Sequence, residues 1–180
     1  MNMLSTKKLF LYIAMSLDGF IARKDGNLDW LNQVQTAGED YGYNAFIEQI
    51  DTIIMGRKTY EKVLTMVDVF PHEDKQCYIW TKELRNPKGN VVFYNGSLPE
   101  LVKTLKAKEG KHIFCDGGAE VIHELLNSKL IDEMIISVIP ILLGDGIRLF
   151  KGELQENILQ LNECKSFSSG LVQLHYKIKE

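Results

Sequence analysis

Short, unbroken apolar runs alternate along this chain with segments whose apolar residues recur every three or four positions. Residues 9–14, 51–56 and 112–115 are runs of the first kind. They have no helical period, which is the pattern of strands covered on both faces. Residues 43–50, 57–65, 99–105 and 119–126 are of the second kind, with Tyr43, Phe46, Ile47 and Ile50 in one and Val121, Ile122, Leu125 and Leu126 in another. That spacing puts the apolar side chains along one helical face. Strands alternating with such helices predict a largely parallel sheet with helices packed on both sides. Residues 76–80, 91–94 and 131–139 add three more strands, the first two separated by the turn formers Asn86-Pro87-Lys88-Gly89-Asn90. Residues 158–167 and 171–178, split at Ser168-Ser169-Gly170, read as an antiparallel hairpin at one edge. Residues 67–75, with Pro71, and the stretch from Asp18-Gly19 to Trp30-Leu31 read as loops. The expectation is one α/β domain over residues 1–180, with a central mixed, mostly parallel sheet.

Composition narrows the function. A chain of 180 residues, 45% of them hydrophobic, buries roughly 70% of its unfolded surface without help from metals or disulfides. Its net charge of −3 supplies no basic field for nucleic acid, so no nucleic-acid partner is expected. Cys77, Cys115 and Cys164 are widely spaced and set among apolar residues, so all three read as buried thiols of a reducing cytosol. The absence of CxxC spacing, and of any triad or metal spacing among His72, His112, His123 and His175, leaves no metal site expected. The apolar stretch at residues 9–17 is far short of the ~20 residues that cross a bilayer, and no secretory leader pattern precedes it. A cytoplasmic protein without membrane contact is the expectation. Asn95-Gly96-Ser97 fits a turn better than a glycosylation site.

Ligands of open α/β sheets bind beyond the carboxyl ends of the strands, where the next helix begins. Two such junctions stand out. At Gly56-Arg57-Lys58-Thr59 a strand-ending glycine precedes two cations and a hydroxyl at a helix start. That composition suits a phosphate, or else a tight turn before a solvated basic helix. At Asp116-Gly117-Gly118-Ala119-Glu120 paired glycines allow close approach of a pyrophosphate to helical amides, though Gly-Gly also serves plain turns. The fingerprints GxGxxG, GxxxxGK[ST] and GxSxG are all absent.

The segments Ile13-Ala14-Met15-Ser16-Leu17-Asp18-Gly19-Phe20-Ile21-Ala22, Ile54-Met55-Gly56-Arg57-Lys58-Thr59-Tyr60, Asp116-Gly117-Gly118-Ala119-Glu120 and Pro140-Ile141-Leu142-Leu143-Gly144-Asp145-Gly146 resemble, in order and spacing, the dihydrofolate reductase-like superfamily. The chain is most similar to the branch holding the reductase domain of the bifunctional riboflavin-biosynthesis deaminase-reductase, over roughly residues 8–178. The resemblance implies a single-domain three-layer fold and NADPH-dependent hydride transfer to a small heterocyclic or ribosylamino-pyrimidine-like substrate. It implies that Ala14 and Ile21 hold the nicotinamide, Gly56, Arg57, Lys58 and Thr59 the phosphates, and Thr81 and Lys82 the adenosine 2′-phosphate. Gly117, Gly118, Ala119 and Glu120 would lie under the pyrophosphate, with a cis Gly-Gly peptide. Asp40 falls where a folate reductase carries its acid, with Glu39 beside it. The alternative is that both only favour a helix start. Asp18 is a second candidate acid or a turn former, and Trp30 a cleft wall or a core residue. Leu143, Gly144 and Gly146 would face the substrate, and Arg148 would add a cation or point outward. The lack of arginine between Arg57 and Arg85, with Phe70 near the place of the folate-clamping arginine, argues against folate. No deaminase motif H-x-E with P-C-x-x-C is present. A true dihydrofolate reductase and a non-catalytic NADP-binding module are the rival readings, and a homodimer is suggested by the branch.

Overall fold

The computed structural model describes residues 7–179. Strand β1 (Leu9–Ser16) leads through a turn to the short β2 (Phe20–Ala22), a 3-10 turn at Asp29–Val34 and helix α1 (Tyr43–Ile47). Then come β3 (Ile50–Gly56), α2 (Arg57–Met66), β4 (Gln76–Trp80), β5 (Val91–Tyr94), α3 (Leu98–Lys106), β6 (His112–Gly117) and α4 (Ala119–Asn127). The chain finishes with β7 (Glu133–Ile139), the two-residue β8 (Ile147–Arg148), β9 (Leu159–Ser166) and β10 (Val172–Ile178). The main sheet has eight strands in the order β5-β4-β3-β6-β1-β7-β10-β9. Neighbours from β5 to β7 are parallel, and β10 then runs antiparallel between β7 and β9.

Side chains alternate across each strand, so every second residue serves a different layer. Leu9, Leu11, Ile113 and Cys115 turn to the side of α3 and α4, where Leu98, Val102, Ile122 and Leu125 complete a fully enclosed cluster. Phe10, Ile53, Met55 and Phe114 turn to the other side and pack on Phe46 of α1 and Tyr60 of α2. Each such enclosed aliphatic or aromatic side chain stabilises the fold by about 1.5–3 kcal/mol. A third cluster of Trp30, Val34, Ile139 and Leu171 closes the sheet on the α1 side toward β10.

The structure departs from expectation in four places. Strand β1 is not covered on both faces throughout: Leu9 to Leu11 are buried, but Tyr12, Ile13 and Ala14 are only half-buried, because the helical layer gives way there to an open cleft. The ribbon of β2 with β8 went unread, since strands of two or three residues carry no period. The last apolar strand begins at Glu133 rather than Ile131. Cys164 is exposed rather than buried, because β9 is the open sheet edge and all eight of its residues are exposed, Leu159 and Leu161 included. Cys77 and Cys115 are buried as read. Among the described residues no helix is long and apolar enough to cross a membrane.

Candidate active site

The two glycine junctions, far apart in the sequence, touch. A Cβ on Gly56 would stand 3.8 Å from the Gly118 nitrogen and 3.3 Å from Val121 Cγ2, and a Cβ on Gly118 would stand 3.1 Å from Thr59 Oγ1. The fit is close on both sides, so a side chain at either position would have to push Val121 or Thr59 aside by a few tenths of an ångström. Gly117 also adopts φ +94°, a conformation L side chains rarely take, and its peptide to Gly118 is cis. Gly56 and Gly118 are the N-cap residues of α2 and α4, and neither helix start receives a side-chain cap. Their first N–H groups thus face the carboxyl edge of the sheet open to an anion. Helix α3 differs, since its Ser97 hydroxyl accepts from the Glu100 N–H.

Charge around this edge is unevenly placed. Arg57 bonds Glu61 at 2.8 Å and Glu83 at 3.3 Å, and Arg85 reaches the same two carboxylates at 3.1 and 2.6 Å. The four groups form a balanced network at the head of α2. Lys58 and Lys82 are exposed and take part in no ion pair among the described residues. Thr81, at the end of β4, is buried, and its hydroxyl accepts from the Glu83 N–H at 3.1 Å. Glu120 is paired with Lys151.

A cavity of about 650 Å³ lies next to this edge on the α1 side. Its floor comes from Tyr12 and Ala14 of β1 and Ser137 and Ile139 of β7. Leu31 and Val34 of the 3-10 turn and Tyr43 of α1 form walls, and Glu39 and Asp40 stand in its lining. The floor is rigidly held: Gln173 Nε2 donates to Tyr12 Oη at 3.1 Å, Ser137 Oγ at 3.2 Å and the Tyr41 carbonyl at 3.1 Å, and Tyr12 Oη donates to the same carbonyl at 3.0 Å. The volume falls within the range of small-molecule sites, and an apolar lining with a few placed polar groups is their usual composition.

Asp116 is the group that sequence reasoning passed over. It follows Phe114 by two residues on β6 and so shares the α1 and α2 side of the sheet, as Tyr12 follows Phe10 on the adjoining strand. Burial pushes its carboxyl up to about 7. Asp116 is half-buried, so it is enclosed by protein but keeps an opening. Its charge reaches Tyr43, whose hydroxyl is raised first by burial and then by Asp116, and Cys77, pushed up to about 12 by burial with Asp116 adding to it. A carboxyl that holds its proton near neutrality is what general acid catalysis requires.

The two nominated acids have opposite surroundings. Asp40 is exposed and accepts from the N–H groups of Gly42 at 2.9 Å and Asn44 at 3.0 Å, which hold its carboxyl below the ordinary range. It lines the cavity, but as an ionised group that fixes the start of α1. Asp18 accepts from Ser16 Oγ at 2.6 Å and from the N–H groups of Leu143 at 3.1 Å and Gly144 at 2.7 Å, and these bonds likewise lower it. The geometry gives Asp18 the turn-forming role. It ties the β1–β2 turn to the loop after β7.

Trp30, Leu143, Gly144 and Gly146, expected at the substrate, lie outside the cavity lining, as do Arg148 and Phe70. Trp30 is 3% exposed and packs behind the wall, with its indole N–H unpartnered. Leu143 packs into the same cluster. Gly144 makes a turn at φ +75°, and Gly146 lets β8 lie against the Ala22 carbonyl, where a side chain would collide. Arg148 stacks on the Phe20 ring at 4.7 Å, and Phe70 packs on Tyr60. Ala14 is in the cavity floor, while Ile21 packs from β2 against the cluster on the α3 and α4 side.

An open α/β sheet with uncapped helix starts and a ligand-sized cleft at its carboxyl edge defines a class of proteins whose site sits on strand ends. The model of the RibD C-terminal domain family matches residues 7–173, and the chain belongs to that family, the reductase domain family of riboflavin biosynthesis. Its relatives include the uncharacterized proteins YwjB and YyaP of Bacillus subtilis. YwjB is 43% identical over 171 residues, 94% of this chain and 97% of its own length. YyaP is 32% identical over 186 residues, covering 97% of each. Among solved structures, a putative riboflavin biosynthesis protein from Shewanella sp. PV-4 superposes with a TM-score of 0.86 at 34% identity, over 96% of this chain and 99% of that one. The diaminohydroxyphosphoribosylaminopyrimidine deaminase/5-amino-6-(5-phosphoribosylamino)uracil reductase of Thermotoga maritima shares the fold, with a TM-score of 0.73 at 15% identity, over 97% of this chain and 57% of that one. The family implies oxidoreductase activity of the pyrimidine reductase kind.

Proposed function

We propose that the protein is an NADPH-dependent reductase that acts on a small heterocyclic substrate of the ribosylamino-pyrimidine kind. The observation that carries this reading is the meeting of two uncapped helix starts at Gly56 and Gly118 beside the cavity floored by Tyr12 and Ala14. The residues fit the cofactor. The N–H groups at the starts of α2 and α4 would receive the pyrophosphate, and Lys58 and Lys82 would supply the cations, Lys82 at the 2′-phosphate. Ala14 would lie under the nicotinamide. NADPH supplies a hydride when bound. Reduction of a C=N or C=O bond also needs a proton at the neighbouring atom, and Asp116 would supply it from its protonated form. Tyr12, Tyr43 and Leu31 would exclude water from the reacting ring, and the bonds that hold Tyr12 and Ser137 would keep the floor in register with it.

The test is thermal unfolding with NADPH, NADP and NADH in parallel. A ligand at a hundred times its dissociation constant adds about 2.7 kcal/mol, and each kcal/mol raises the midpoint of a chain this size by roughly 2–4 °C. A rise with NADPH that exceeds the rise with NADH, and that the double variant Lys58→Ala/Lys82→Ala loses, is the expected result. No rise with any nicotinamide nucleotide overturns the reading.

A further inference from the structure

The cavity contains carboxylates and no cation. None of its lining residues is a lysine, an arginine or a histidine, whereas Glu39 and Asp40 both belong to it. Both carboxylates are fixed by backbone N–H groups, Glu39 by that of Tyr41 at 2.7 Å and Asp40 by those of Gly42 and Asn44, so neither can swing away from a ligand without cost. Their field reaches the floor: after burial, Asp40 and Glu39 are the charges that raise the Tyr12 hydroxyl. The remaining lining is mostly aromatic and aliphatic, with Tyr12, Tyr43, Leu31, Val34 and Ile139 facing a volume of about 650 Å³, and its other polar side chains, Gln35, Thr36 and Ser137, are uncharged.

A phosphate monoester carries about −1.5 to −2 charges at neutral pH and binds through paired cations or helix amides. The helix amides at this sheet edge stand at Gly56 and Gly118, while at the start of the short α1 the N–H groups of Gly42 and Asn44 are taken by the Asp40 carboxylate and that of Tyr43 by the Asp40 carbonyl. A planar, uncharged ring loses nothing to the carboxylates and gains contact with two tyrosines, and a protonated ring gains their attraction as well. From this we infer that the substrate cleft selects a neutral or cationic heterocycle that carries no phosphate group. This inference rests on the reductase reading above, and it narrows the substrate class.

The experiment compares 5-amino-6-(ribosylamino)uracil with its ribose 5′-phosphate, by calorimetric titration into protein saturated with the oxidised cofactor NADP, so that binding is read without turnover. The expected result is that the unphosphorylated compound binds at least tenfold more tightly. Glu39→Gln with Asp40→Asn should narrow the gap severalfold by improving the phosphorylated ligand. Ala37→Lys, which adds a cation to the lining without touching either acid, should do the same and stands in if the double variant misfolds. Equal or tighter binding of the phosphate, or binding of neither compound to the NADP-loaded protein, overturns the inference and leaves the cofactor reading intact. A protein that NADPH does not stabilise overturns the cofactor reading itself.

Discussion

Two stretches of one sheet edge, at the ends of neighbouring strands, solve opposite electrostatic problems. At the head of α2, Arg57, Arg85, Glu61 and Glu83 neutralise one another in partial solvent, while Lys58, at the uncapped start of α2, and Lys82, just after β4, take part in no ion pair among the described residues. On β6, Asp116 lies within charge range of Tyr43, a wall of the cavity, whose lining includes no cation among the described residues, and burial alone sets this acid near 7. Exposed charges are screened and worth little singly, so the first region can tolerate a ligand's charge arriving and leaving. Enclosed charges are expensive, so the second region keeps its enclosed acid, Asp116, protonated up to about 7. The edge separates holding an anion from moving a proton.

The sharpest way to break this division is Asp116→Asn, which keeps the volume and removes the proton. Loss of a general acid costs roughly 10²–10⁴-fold in rate, so kcat should fall by that order while NADPH affinity stays unchanged. The wild-type rate should fall as pH rises through about 7, because the acid must be protonated, and the variant should lack that limb. Stability carries the same signature. The folded value lies above the ordinary 3.8, so between about 4 and about 7 the folded protein holds a proton that the unfolded chain has lost. Stability should therefore decline over that window and level off above it. Asp116→Asn should flatten the decline and raise the melting temperature at pH 8, as calorimetry across pH would measure. A sloped variant profile, or an unchanged rate, would remove Asp116 from the chemistry.

On the charged side the expected effects are smaller and fall on binding. A hydrogen bond to a charged group contributes about 1.5–3 kcal/mol, so Lys58→Ala and Lys82→Ala should each raise the NADPH dissociation constant by about 10- to 100-fold, with kcat at saturation preserved. The loss in Lys82→Ala should be larger for NADPH than for NADH, since only the former brings the extra phosphate. Equal losses would place Lys82 elsewhere than at the 2′-phosphate.

Much of this edge is legible in the sequence, because strand and glycine positions follow from local patterns. Residues 51–56 and 112–115 could be read as strands from unbroken apolarity, and their junctions as anion sites from glycine before a helix. What was not legible depends on partners distant along the chain. Asp116 reads only as the lead-in to a glycine junction until β6 is seen packed between β1 and β3, and no local spacing announces desolvation. Asp40 and Asp18 stand at suggestive positions, but the backbone N–H groups that claim their carboxylates appear only once α1 and the loop after β7 are in place. Trp30 was evenly balanced between wall and core for the same reason: packing behind Val34 and Ile139 is a tertiary fact. Cys164 was misjudged because apolar neighbours imply burial only where the strand has a covering layer, and β9 has none.

The smallest effect has the opposite sign, and so tests the comparison most finely. If Glu61 and Glu83 serve to neutralise Arg57 and Arg85 until a ligand phosphate competes for them, then Glu61→Gln with Glu83→Gln should tighten NADPH binding. Each exposed pair is worth about 0.2–1 kcal/mol, so the gain should be about twofold to fivefold, with a small loss of stability in the cofactor-free protein. Raising salt should erase the difference, since the groups are partly exposed and screened. The same variant should leave the pH profile of kcat untouched, because its charges stand at the head of α2 and not against Asp116. A shift of that profile would mean that the two regions share one field, and the division between holding and proton transfer would have to be given up.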